Sequence, residues 1–502
     1  MKTFPLPAAK GCLPANARTT SAVRPRRSIL VPVVLALLCL PPLFPPRSAD
    51  AGDDTAPATA GAEEAKKRSF STGTDFFDKA ALSGGLYYFQ RDRKRYDPAS
   101  DAYAVNLEHA TLQANADFSS GFLGDSVGVD FALFGSTDIH NAGAVDHEMG
   151  FFPWHNPWHP DWSKNKTKDG FSVYTAAIKA KAGPLWGRAG YLQPSGPGVL
   201  GVNWSIMPGT YRGLNMGADF GNLSVAAAWA DEYKAPWFPS TNAFLKNDGQ
   251  SRVPWLWSAG TSYRFADGFT VEAAYGESKN HLKNAHFKSR YETEYGQSGT
   301  KDTHKLSLGY HLYLMDDNDD SGTSPNDNFA GTASQHYLFS RFDTKLWTVK
   351  LEGTYTRAPV TSSVQVGYFA YRLTDRNGSS KGAYEAWWDA RSDWNAHDEK
   401  AVYLGVERRL DDLLPLPGFS IGLGAALGWD GKAYGYSEHL KEWAFNVDIG
   451  YSKPDAPCQG AFVKVHYTEY KNGSSQPSWA AYKNAFQDEH DIKLFMGIPF
   501  DL

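Results

Sequence analysis

The chain has 502 residues, 42% hydrophobic, 14% aromatic and 21% charged, with 47 Gly but only 6 Met and 3 Cys. That composition excludes a disordered chain and reads as sheet-rich. The formal net charge is −5 and the mean hydropathy −0.45. Beyond the first 50 residues no apolar run reaches about 18, so no membrane-spanning helix is expected, although strands can still cross a bilayer.

At the N-terminus, Lys2, Lys10, Arg18, Arg24, Arg26 and Arg27 precede the apolar run Ile29 to Leu40, and Ala49-Asp50-Ala51 follows as a small-x-small cleavage site. This is the layout of a secretory signal over residues 1–51. Its removal takes away seven basic residues and one acid, leaving a net charge of about −11, which disfavours nucleic acid as a partner. It also leaves Cys458 alone, so the exported chain can form no internal disulfide. Residues 52–75 are small, charged and aperiodic, a flexible segment ahead of one barrel domain at 76–502.

From Gly84 onward the dominant signal has period two. Leu112, Ala114, Ala116 and Phe118 alternate with Thr111, Gln113, Asn115 and Asp117; Trp347, Val349, Leu351 and Tyr355 alternate with Thr348, Lys350, Glu352 and Thr354. The pattern predicts strands at 84–93, 106–118, 125–134, 171–181, 185–193, 211–219, 222–231, 255–265, 268–276, 284–294, 304–314, 335–343, 346–356, 400–410, 419–429, 442–451, 460–470 and 488–500. These number eighteen, with sixteen as the fallback should 284–294 and 335–343 fail. Short and long connections alternate, which a soluble sandwich has no reason to do. The expectation is therefore an all-β transmembrane antiparallel barrel in the bacterial outer membrane, with short periplasmic turns and long extracellular loops. Tyr87, Phe89, Trp255, Trp257, Trp347, Tyr355 and Tyr467 are expected in an interfacial girdle. Strand phase points Arg188, Arg264, Lys350, Lys464, Asp117 and Glu352 into the lumen.

The chain carries no Gly-x-Ser-x-Gly, His-Glu-x-x-His, P-loop or dinucleotide fingerprint, so neither catalysis nor a cofactor is expected. Loop 135–170 displays Trp154, Trp158 and Trp162 among Pro153, Pro157 and Pro160, which forbid a regular helix. Such rings either stack on sugars or form a small core on the rim. Histidines 140, 147, 155 and 159 match no zinc spacing, and no metal site is expected. Loop 194–210, rich in Gly and Pro, is expected to fold inward and narrow the lumen near Trp204, Met207, Tyr211 and Arg212. Tyr233 and Trp237, and Trp388, Asp389 and Arg391, supply the rings, carboxylates and guanidinium that a carbohydrate site uses.

Several stretches carry a resemblance: Trp204-Ser205-Ile206-Met207-Pro208-Gly209-Thr210-Tyr211, Glu232-Tyr233-Lys234-Ala235-Pro236-Trp237, Trp387-Trp388-Asp389 with Arg391-Ser392-Asp393, and Phe486-Gln487-Asp488-Glu489. Together they resemble the chitoporin branch of the OprD superfamily of substrate-specific outer-membrane porins. The resemblance implies a monomeric or homotrimeric porin that admits chitooligosaccharides passively. Its partners would be the sugar, outer-membrane lipids, lipopolysaccharide and the barrel-assembly machinery. The alternative within transport is a porin for basic amino acids, peptides or carboxylates. Two departures stand out: loop 135–170 is heavier in Trp, His and Pro, and the chain ends Phe500-Asp501-Leu502 rather than on the aromatic that assembly reads.

Overall fold

Alternating sequences become strands whose two faces meet different surroundings. On the strand that carries Leu112, that residue is 42% exposed while Thr111 is fully buried. The same inversion recurs around the molecule, with Ile178, Met216, Leu338, Leu351, Leu404, Leu427 and Ile492 all exposed. A surface of this kind is stable against hydrocarbon and not against water.

The computed structural model describes residues 75–143, 169–265, 268–296, 304–317, 328–379, 382–455, 458–474 and 487–501. A one-turn helix, Asp75–Asp78, precedes the strands. The first seven are β1 (Ala81–Asp97), β2 (Ala102–Ser119), β3 (Val127–Gly143), β4 (Gly170–Ala182), β5 (Leu185–Leu192), β6 (Thr210–Phe220) and β7 (Leu223–Lys234). Two short strands, β8 (Asn242–Leu245) and β9 (Arg252–Val253), lie in the loop that follows. Next come β10 (Leu256–Arg264), β11 (Phe269–Ser278), β12 (Leu282–Tyr295), β13 (His304–Asp317), β14 (Thr332–Asp343) and β15 (Trp347–Arg357). The last five are β16 (Lys400–Arg409), β17 (Phe419–Gly431), β18 (Leu440–Ser452), β19 (Phe462–Asn472) and β20 (Glu489–Asp501).

Consecutive strands pair antiparallel, β7 pairs directly with β10, and β1 closes on β20 from Ser83↔Asp501 to Arg95↔Glu489. Among the described residues the result is a closed barrel of eighteen strands, the number the periodicity predicts. A barrel of this size encloses a lumen instead of a packed core.

Three differences from the sequence reading are informative. First, β1 to β3 run 17, 18 and 17 residues, so the connection expected over 94–105 shrinks to a turn. Asp97 caps that turn, accepting from the Ala99 N–H at 3.0 Å and the Ser100 hydroxyl at 2.7 Å. The charges in Arg91–Arg95 look like loop, yet the inward ones find partners: Arg91 pairs with Asp491 at 2.5 Å, and Arg95 pairs with Glu489. Second, Tyr87 and Phe89 do not join the lipid-facing girdle. They share the inward face with Gln113 and Thr111, their cross-strand partners, and Tyr87 packs beside Phe134, Tyr174 and Met207. Leu86 holds the outward position. Third, part of the interior is filled: Tyr211, Tyr233, Phe244, Leu256, Tyr313, Phe369 and Tyr371 join strands and inward loops in one apolar cluster. The signal over 1–51, the segment 52–74 and most of loop 135–170 lie outside the described residues.

Candidate functional site

Polar side chains on the inward face form ion pairs across neighbouring strands. On one side Asp130 receives Lys179 at 2.8 Å and Arg188 at 3.3 Å. On the other, Asp448 meets Lys464 at 3.2 Å and the His466 ring at 2.9 Å. Both signs of charge therefore line the wall, in an arrangement suited to neutral, strongly hydroxylated solutes as well as ions.

Two loops enter this lumen by different means. Loop 193–209 is held through its backbone. Gln193 donates to the Tyr174 carbonyl at 2.8 Å and the Gly209 carbonyl at 3.1 Å, tying the two ends of the loop together. Further in, the Val199 N–H donates to the Ser258 hydroxyl at 2.7 Å, the Asn203 N–H to the Tyr233 hydroxyl at 2.8 Å, and the Tyr211 hydroxyl to the Gly201 carbonyl at 3.1 Å. Gly201 lies against the Gly382 carbonyl with no room for a Cβ. At that point the first loop meets the second, and the Ala383 N–H donates to the Val199 carbonyl at 3.0 Å.

Loop 358–399 is held by charge. Glu385 receives Lys288 at 2.5 Å and Arg290 at 2.9 Å from β12. Trp388 donates its indole N–H to Glu352 of β15 at 2.7 Å and stacks on Tyr403. Asp389 receives Lys493 of β20 at 2.5 Å, Arg391 pairs with Glu489, and Ser392 donates to Glu442 of β18 at 2.9 Å. The loop thus strides across the lumen from β12 to β20. Its backbone is strained where the ties are densest: Arg391, Ser392, Trp394 and Asp398 have φ of 38°, 74°, 51° and 58°, a region costly for residues with a Cβ.

Local electrostatics follow from these contacts. Burial works to raise the Glu385 carboxyl, but the charges of Lys288, His311 and Arg290 outweigh it and hold it at about 2. For Asp389 burial is likewise outweighed, by Lys493 and His466, and its carboxyl stays well below the usual range. At Glu399 burial and the adjacent Glu442 carboxyl act in the same direction, opposed by the Ala396 N–H, and drive its own carboxyl well above the usual range.

The residues singled out from sequence separate into groups. Arg188, Trp204, Asp389 and Arg391 are only partly covered and stand on the inward wall or the inward loops, with Trp204 half exposed. Met207, Tyr211, Tyr233 and Trp388 are buried and anchor loops; Trp237 is half-buried against the same apolar cluster. Arg212 departs from the expected constriction. Phase along β6 gives the inward position to Tyr211, so Arg212 turns outward beside Tyr191 and forms a bidentate pair with Asp231 at 2.8 and 2.6 Å. Trp154, Trp158 and Trp162 lie outside the described residues. The sequence reading missed Glu385, Lys288, Lys493 and Glu489 as organisers of the lumen. The inward phase of Lys288, Lys493 and Glu489 was available, but their pairing depends on the loop that carries Glu385, whose path no local pattern gives.

A closed eighteen-strand barrel, apolar outside and charged within, with its lumen narrowed by inward loops, is an outer-membrane porin. The match to known proteins refines that class: residues 74–502 fit the model of the outer membrane porin, OprD family, and the chain belongs to that family. It is 38% identical over 447 residues to the chitoporin of Escherichia coli (strain K12), covering 85% of this chain and 92% of that one. Solved structures share the fold at low identity. Acinetobacter baumannii OccAB1 matches at TM-score 0.66 and 17% identity, covering 85% of this chain and 98% of that one. Pseudomonas aeruginosa OccK9 matches at TM-score 0.67 and 14% identity, covering 85% and 100%.

Proposed function

We propose that this porin carries chitooligosaccharides, oligomers of N-acetylglucosamine, down their gradient across the outer membrane. The observation that carries the reading is the 38% identity to a chitoporin along 92% of that protein's length. The lumen chemistry supports it. Neutral sugars need hydrogen-bonding groups of both polarities and flat apolar faces, and binding weak enough to release. Arg188, Asp389 and Arg391 supply the first, and Trp204 the second. The aromatic run with Trp154, Trp158 and Trp162 is proposed as an outer stacking surface, and residues 1–51 as the export signal.

Proteoliposome swelling tests this reading. Vesicles holding the purified protein should swell in chitobiose and chitotriose faster than in maltose or maltotriose of matched size. Equal swelling in both series would reduce the protein to an unselective pore. Preferential swelling in arginine or glucuronate would transfer it to the class of basic amino-acid or carboxylate channels.

A further inference from the structure

The outer ends of β15 to β18 carry an ordered row on the lipid-facing side. Cross-strand pairing sets Tyr355 beside Lys400, Lys400 beside Trp429, and Trp429 beside Lys441. Arg357 stands one outward position beyond Tyr355, and Trp443 one below Lys441. All six side chains are exposed. Their inward neighbours Thr356, Ala401 and Glu442 are buried, which fixes the row on the outside of the wall. Directly beneath it come Val402, Leu404 and Leu427, and then apolar positions down to the periplasmic end, where Arg408 lies over Trp347. Lys400 and Arg408 are eight residues apart on β16, about 27 Å along the strand and so about 20 Å in height at the usual tilt. That height places the row at the upper edge of the apolar band, where hydrocarbon gives way to headgroups.

Alternating cations and rings at this level suit an anionic headgroup: long basic side chains snorkel to phosphate while the rings lie at the acyl boundary. The carboxylates nearby are already engaged at the surface, Asp430 with Lys400 at 2.7 Å and Asp398 with Lys432 at 2.9 Å, pairs weak enough for a phosphate to replace. The corresponding row across β10 to β14 is built otherwise. It runs Trp257, Glu277, Lys283, Asp316, Thr332, with two carboxylates to one amine and a hydroxyl bonded to one of the acids. The basic row is therefore absent from the β10–β14 sector.

We propose that the outer face of β15–β18 is a docking surface for the phosphorylated headgroup of an outer-leaflet lipid. Arg357, Lys400 and Lys441 contact phosphate, and Tyr355, Trp429 and Trp443 pack at the headgroup boundary. This does not depend on which solute passes through the lumen.

The test uses the full-length protein in phosphatidylcholine nanodiscs, titrated with bisphosphorylated lipid A and read by native mass spectrometry. Lys400→Gln combined with Lys441→Gln should weaken binding about thirtyfold and leave channel current unchanged. Lys283→Gln, in the acidic row, should have no effect, and inorganic phosphate should not displace the lipid. Should the double variant fail to fold, Arg357→Gln alone should weaken binding about fivefold. Retention of wild-type affinity by the basic-row variants, equal loss in Lys283→Gln, or displacement by free phosphate would each overturn the proposal.

Discussion

The two inward loops reach the same lumen on opposite principles. Loop 193–209 is small-residue backbone pinned by hydroxyls and amides of the wall, and it fits because Gly201 offers no side chain to collide with Gly382. Loop 358–399 is a strained backbone carried on side-chain charges, tied at Glu385 to β12 and at Asp389 and Arg391 to β20. A backbone-pinned loop is sensitive to shape, whereas a charge-pinned loop is sensitive to the loss of one partner. The difference teaches how a wide barrel can carry a narrow pore whose two sides fail independently.

The largest effect should come from removing a buried partner. Glu489 is fully buried and paired with both Arg95 and Arg391. Glu489→Ala should cost about 3–5 kcal/mol in urea unfolding of the reconstituted barrel. It should also at least double single-channel conductance, as the far end of loop 358–399 comes loose. Unchanged conductance would mean that the loop does not depend on this tie.

A shape insult to the other loop should be milder. Gly201→Val forces a side chain into the Gly382 carbonyl, an overpacking cost of about 1–3 kcal/mol. Conductance should rise by less than in Glu489→Ala, because the ion pairs of loop 358–399 remain. If it rises by more, the backbone contact and not the charges sets the pore width.

Acid should separate the two loops without mutation. The Glu385 carboxyl is held at about 2, below its unfolded value, so its contribution is complete above the ordinary carboxylate range and is lost as pH falls through the folded value. Conductance should stay flat from about pH 7 to about pH 5 and rise only in stronger acid. A rise already near about pH 5 would show that Glu385 is not the group that holds the loop.

The smallest effect on stability, yet a specific one on function, belongs to Trp204. Half exposed within its loop, Trp204→Ala should shift unfolding by no more than about 0.5 kcal/mol. It should still weaken block by chitohexaose several-fold. Loss of stability without loss of block would make Trp204 a packing residue.

The architecture was largely legible from sequence because a lipid-facing strand writes its two environments at adjacent positions. Leu112 against Thr111 and Leu351 against Glu352 suffice to give phase, and turn lengths give the closure. Phase failed where rings face inward, as at Tyr87 and Phe89, because an aromatic suits both a lipid girdle and a packed interior. It also failed at Arg212, which looked like a constriction residue from its neighbours along the chain, although the inward position belongs to Tyr211. Loop 358–399 was legible in composition and not in path. Partners such as Lys493 for Asp389 and Glu489 for Arg391 lie about a hundred residues away, and the left-handed backbone at Arg391 and Trp394 contradicts local propensity.

The central claim, a lumen shaped by two loops to pass N-acetylglucosamine oligomers, is tested most directly by single-channel recording with chitohexaose on one side of a planar bilayer. Brief, voltage-dependent blocking events that increase with sugar concentration, and that maltohexaose and arginine do not produce, are the predicted result. An open current unaffected by millimolar chitohexaose, or blocked equally by maltohexaose, would contradict it.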